Sequence, residues 1–249
     1  MTTDSAVPVV LLHGVGLDGS MWASLTAQLA TETVALDLPG HGAQAPLTAP
    51  TTLAEFAAHV EARLPDGACH LVGFSLGSLV AQYIARFSPE RVRSLTCVSS
   101  VCQRTPSETS AVLERLAQAR EDFSATVDRS IARWYPADSF VEPALVAETR
   151  RVLDANDVDS FLYAYEIFAT GDQLLAAELG NITVPTLAIT GELDPGSTPE
   201  MTHRLHAAVP QSRERIVAKT RHMLPVEAPE ALAAELLEFL NDVERDSDD

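Results

Sequence analysis

The chain has 249 residues, 46% of them apolar, with 35 acidic against 17 basic side chains and a formal charge of −18. That length and apolar fraction suffice for one sizeable core, in a domain of roughly 200–250 residues. The charge repels nucleic acid and anionic lipid, no apolar run approaches the ~18 residues of a membrane span, and the first residues carry no secretory signal; the expectation is a cytoplasmic protein with a small-molecule substrate and neither nucleic-acid nor membrane partners.

Short apolar runs alternate with amphipathic helical patterns. Val7 to Leu12 reads as a strand. Met21, Trp22, Leu25 and Leu29 then form a helical stripe, and Thr33 to Leu38 reads as a second strand. Thr52 and Glu55 have the spacing of a capping box, opening a helix with Leu53, Phe56, Val60 and Leu64 on one face. Cys69 to Phe74 is the third strand, and Leu79, Val80, Tyr83, Ile84 and Phe87 mark a helix stopped by Pro89. Ser94 to Ser99 is the fourth strand. From Thr105 to about Leu179 there is helical periodicity and no strand: Leu113 and Leu116, then Val127, Ile131 and Trp134, then Phe161, Tyr165 and Phe168. Pro185 to Thr190 and Arg213 to Ala218 are the last strands. Leu232, Leu236, Phe239 and Leu240 mark the last helix, and the charged residues Asn241 to Asp249 should fray as a solvated tail. Continuously apolar strands separated by helices mean a parallel α/β sheet covered on both faces. The expected division is a core of residues 1–104 and 180–249 with a helical cap, 105–179, inserted over the strand ends. No signal bears on oligomeric state.

Gly73-Phe74-Ser75-Leu76-Gly77 follows a strand and precedes a helix. Such a turn holds its central serine in a strained conformation with the hydroxyl exposed at the strand end. A hydroxyl needs a base, and the base an orienter. Asp194, in Gly191-Glu-Leu-Asp-Pro, and His222, in Thr220-Arg-His-Met, each lie just past a strand, completing the order Ser…Asp…His. Glu192 is the competing acid, closer to its strand. The backbone N–H groups of Val15 and Leu76 are the natural donors to an oxyanion. His13 and His41 sit in Gly-flanked turns and are expected to brace loops; His59, His203 and His206 lie on helices, and His70 opens a strand. Cys69, Cys97 and Cys102 follow no metal-ligand spacing, and no metal or other cofactor is expected.

His13-Gly14-Val15-Gly16, Asp37-Leu-Pro-Gly-His-Gly42, the serine elbow, Gly191-Glu-Leu-Asp194 and His222 together resemble the α/β-hydrolase superfamily along nearly the whole chain. Within it the chain is most similar to 3-oxoadipate enol-lactonases and related esterases, through Arg133-Trp-Tyr-Pro136 and Asp159-Ser-Phe-Leu-Tyr-Ala-Tyr-Glu166. The family usually begins with an antiparallel hairpin, but only a handful of residues precede Val7; the expected sheet is therefore six-stranded, in the order Thr33, Val7, Cys69, Ser94, Pro185, Arg213. The resemblance implies ester or lactone hydrolysis through an acyl-enzyme on Ser75. C–C bond hydrolysis with the same three residues, perhydrolysis and a non-catalytic ligand-binding member are the alternatives. Dehalogenation is disfavoured because it needs a carboxylate at position 75. Trp134, Tyr165 and Phe168 are expected to line an apolar acyl pocket. Arg133, with Arg104 in reserve, is expected to meet the carboxylate that an enol-lactonase-like substrate carries.

Overall fold

A computed structural model describes residues 7–248. Six parallel strands run in the order β2-β1-β3-β4-β5-β6, as expected from sequence: β1 (Val9–Leu12), β2 (Thr33–Leu36), β3 (Cys69–Phe74), β4 (Val92–Val98), β5 (Thr186–Gly191) and β6 (Ser212–Val217). The interior strands are buried on both faces. Val10 and Leu12 of β1 point into the cluster formed with α2 (Leu53–Glu61) and α3 (Leu76–Phe87); Val9 and Leu11 point to the opposite cluster, with α1 (Ala23–Thr26). This is the period of two expected of a strand covered on both sides. The capping box of α2 is complete: the Glu55 amide donates to Thr52 Oγ1, and Glu55 Oε2 accepts from the Thr52 amide at 2.8 Å.

Between β4 and β5 lie α4 (Pro106–Glu121), α5 (Phe123–Trp134), α6 (Pro143–Asp154) and α7 (Val158–Leu175). They meet the loops at the strand ends. Asn156 Nδ2 donates to Gly16 O at 2.8 Å, and Ser160 Oγ donates to Gly40 O at 3.0 Å. Gly16, at φ +74°, is packed so closely that a Cβ there would stand 2.7 Å from the Phe161 ring. One detail differs from the sequence reading. The buried stripe of α4 is Val112, Leu116 and Ala119, while Leu113 is 44% exposed, because the face is set by where α7 packs.

After β5 come α8 (Pro199–Ala208), α9 (Leu224–Glu227) and α10 (Pro229–Asp248). The expected fraying from Asn241 is not what is found: α10 continues through that segment, burying Val243, while Asp242 takes Arg213 as partner. β6 is the charged edge strand. Arg213 and Arg215 pair with Asp242 and Glu235 of α10, and Glu214 meets His203 of α8 at 2.6 Å. Among the described residues, no helix is long and apolar enough to cross a membrane.

The turn after β2 is a buried scaffold. Asp37 accepts from the amides of Gly19 and Ala43, each at 2.8 Å. His13 Nε2 accepts from the Leu38 amide at 2.8 Å, so Nδ1 carries the proton and donates to Gly14 O at 2.7 Å. His41 stands 5.1 Å from it, ring to ring, with Nδ1 donating to Pro39 O. Both histidines brace loops. Burial, then the neighbouring His41, pulls His13 down to about 3; burial pulls His41 down to about 4. The unfolded chain protonates both near pH 6.5, whereas the native state resists until pH 4 or below. Their neutral-state stability is therefore full above about pH 7 and declines as pH falls from about 6.5 toward 4. By pH 5 each ring costs about 2 kcal/mol. Urea unfolding at pH 7.5 and 5.0 measures this, and His41→Gln should shrink the difference by about one ring's share. An unchanged difference would assign the acid sensitivity to other groups.

Candidate active site

Ser75 caps the N-terminus of α3 with φ 52° and ψ −112°, a conformation that L-residues rarely hold. It is imposed from both sides. The Ser75 amide donates to Val98 O at 3.0 Å. A Cβ on Gly73 would stand 2.3 Å from Gly77 O, and one on Gly77 would stand 2.3 Å from Leu12 O. Both positions require glycine for close backbone approach. The loop after β1 lies against this turn: a Cβ on Gly14 would be 3.3 Å from Ser75 Cβ. Neither the Val15 nor the Leu76 amide has a protein acceptor among the described residues.

Asp194 and His222 come to the same place. His222 Nδ1 lies 2.7 Å from Asp194 Oδ2. A carboxylate can only accept, so the proton sits on Nδ1 and Nε2 is left as an acceptor. Asp194 is itself fixed: Oδ1 accepts from the amides of Gly196 and Ser197, and its side chain is fully buried. The His222 ring is held between Phe74, 5.0 Å away, and Trp134, stacked at 5.8 Å. Glu192 does something else: Oε2 accepts from the Lys219 amide and braces the loop that carries His222.

Ser75, Asp194 and His222 open into one pocket of roughly 610 Å³, continuous with solvent. Val15 lines it, and so do all four residues expected to face substrate: Arg133, Trp134, Tyr165 and Phe168. Arg104 is elsewhere. Its Nη1 donates to Asp172 Oδ1 at 2.7 Å and to the Phe168 carbonyl, both charged side chains are buried, and the guanidinium lies 4.7 Å over the Phe168 ring. It is spent on the packing of α7 and cannot serve as the reserve cation. Cys102 is also inert, since burial pushes its thiol up to about 12. The sequence reading passed over Arg115, which lines the pocket from α4. A signal was there: position 115 falls among Val112, Leu116 and Ala119, on the buried face of its helix.

A six-stranded parallel sheet, a strained serine at a strand–helix turn and a His–Asp pair in one pocket define a class of protein. The sequence profile of the alpha/beta hydrolase family matches residues 9–235, and the chain belongs to that family. It is 29% identical to an (E)-2-((N-methylformamido)methylene)succinate hydrolase of Acinetobacter baylyi, over 90% of this chain and 86% of that one. It is 33% identical to a pimeloyl-[acyl-carrier protein] methyl ester esterase of Edwardsiella ictaluri, covering 93% and 92%. In fold it matches the enol-lactonase of Burkholderia xenovorans with a TM-score of 0.84 at 24% identity, covering 97% and 94%.

Proposed function

We propose that this enzyme hydrolyses a small carboxylic ester or lactone bearing a carboxylate, through an acyl-enzyme formed on Ser75. The observation that carries the reading is the strained Ser75 sharing a pocket with a His222 whose Nδ1 is committed to Asp194. Ser75 Oγ attacks the carbonyl carbon while His222 Nε2 takes its proton. The carbonyl oxygen becomes an oxyanion and accepts from the Val15 and Leu76 amides. Collapse expels the alcohol or enol oxygen, which takes the proton from His222. Water, deprotonated by the same imidazole, then releases the acid. Asp194 keeps the imidazole in one tautomer and balances its transient charge. Relatives that act on a methyl ester and on a succinate derivative support a hydrolase whose chemistry is shared and whose substrate differs. A fluorophosphonate probe tests the reading: it should label Ser75 in peptide mapping, and an unlabelled protein that turns over no ester or lactone would sink it.

Arg133 supplies the cation for the carboxylate. It lies 5.9 Å over the Trp134 ring, half-buried, with Ser130 Oγ at 3.5 Å and no carboxylate within ion-pair reach among the described residues. For two substrates that differ only in a distal carboxylate or its amide, Arg133→Ala should lower kcat/KM for the acid by roughly tenfold or more, about 1.4 kcal/mol, and spare the amide. Equal losses on both would leave Arg133 as a packing residue.

A further inference from the structure

We infer that Arg115 and Arg133 together form a two-cation site for a dianionic group carried by the substrate. This rests on the hydrolase reading above and narrows its substrate class.

In a chain so rich in acids, buried and half-buried arginines find acceptors: Arg104 has Asp172, Arg204 has Glu108 and Arg213 has Asp242, while Arg63 and Arg91 donate to backbone carbonyls. Arg115 and Arg133 have no carboxylate partner among the described residues, although both line the same pocket from successive helices. They are close enough to oppose each other: burial, and then the positive charge of Arg115, pulls the Arg133 guanidinium below its usual value. Two half-buried cations without a paired carboxylate are a standing cost, because desolvation and mutual repulsion act in the same direction and the Asp194 charge offsets them only in part. A single carboxylate neutralises one of them. A dianion neutralises both and gives each guanidinium oxygen acceptors for paired hydrogen bonds. Trp134, Tyr165 and Phe168 line the same pocket as these arginines and Ser75, and Trp134 has the His222 ring at 5.8 Å and the Arg133 guanidinium at 5.9 Å, so one short substrate can meet both the cations and the nucleophile. Two carboxylates or one phosphate supply the same charge, and the geometry of the acceptors separates them.

The experiment uses purified full-length enzyme and a set of activated esters of one acyl length, ending in an amide, one carboxylate, two carboxylates or a phosphate. Wild type should favour a dianion over the single carboxylate by tenfold or more in kcat/KM, with the preference falling as salt rises. Arg115→Met should reduce the dianion-to-monoanion ratio at least tenfold, and Arg115→Lys should restore part of it. Arg133→Met should lower both anions relative to the amide. Which of the two dianions leads identifies the group. Calorimetric binding of the corresponding free acids to wild type and Arg115→Met repeats the test without turnover, so a failure of the hydrolytic reading would leave this one measurable. Equal kcat/KM for monoanion and dianions in wild type, or an Arg115→Met loss that is the same on the amide, would overturn the proposal.

Discussion

Ser75→Ala should lower kcat by about four orders of magnitude or more and abolish labelling by a fluorophosphonate, with the fold intact. Alanine fits the space the serine leaves, and the backbone strain at φ 52° is held by Gly73, Gly77 and the hydrogen bond to Val98 O rather than by the hydroxyl. Far-ultraviolet circular dichroism and the urea midpoint should therefore stay near those of the wild type. His222→Ala should be similarly slow. The double variant should be no slower than the worse single one, because serine and base act as one unit. Retention of several per cent of activity by Ser75→Ala would place the nucleophile elsewhere. A double variant slowed by the product of the single losses would mean that His222 acts independently of Ser75.

Asp172→Ala should be the most destabilising single change outside the pocket. It removes the carboxylate paired with Arg104 and also the acceptor for the Arg104 amide, at 2.9 Å. The guanidinium would stay buried against the Phe168 ring with a charge and no counter-charge, and breaking a buried pair in this way costs about 3–5 kcal/mol. Replacing both partners by apolar residues, Arg104→Met with Asp172→Leu, should cost much less than Asp172→Ala alone. Chemical denaturation of the three variants measures it. If the double replacement were as unstable as the single one, the loss would lie in packing around α7 rather than in the stranded charge.

The interior of the sheet was legible because parallel strands buried on both faces read as uninterrupted apolar runs, and the order of all six, with the charged edge strand β6, followed from that reading together with the family resemblance. The elbow was legible for a different reason: Gly73 is required by backbone contact within the turn itself and Gly77 by the backbone of the neighbouring strand β1, and both constraints fall on one short run of sequence. The helices between β4 and β5 were legible as helices but not in their facing. Leu113 and Val112 are neighbours with similar side chains, and only the packing of α7 decides which one is buried. Arg104 and Arg115 show the same limit in charge. Each reads as an ordinary arginine near a helix. The acid that claims Arg104 lies 68 residues away, and among the described residues no acid claims Arg115. Pairing is a property of the tertiary arrangement, not of the local sequence.

The ion pairs on both faces of β6 have a consequence for the molecule among its own copies. An edge strand offers a row of unpaired amides and carbonyls to any extended chain that approaches, and a flat apolar edge would propagate such pairing into fibres. Here three successive side chains are charged and already committed, Arg213 and Arg215 to α10 on one face and Glu214 to α8 on the other. An incoming strand would have to lay its own side chains beside these charges, on a rim anchored by two helices. The edge that ends the sheet is thus guarded against the sheet's own tendency to grow.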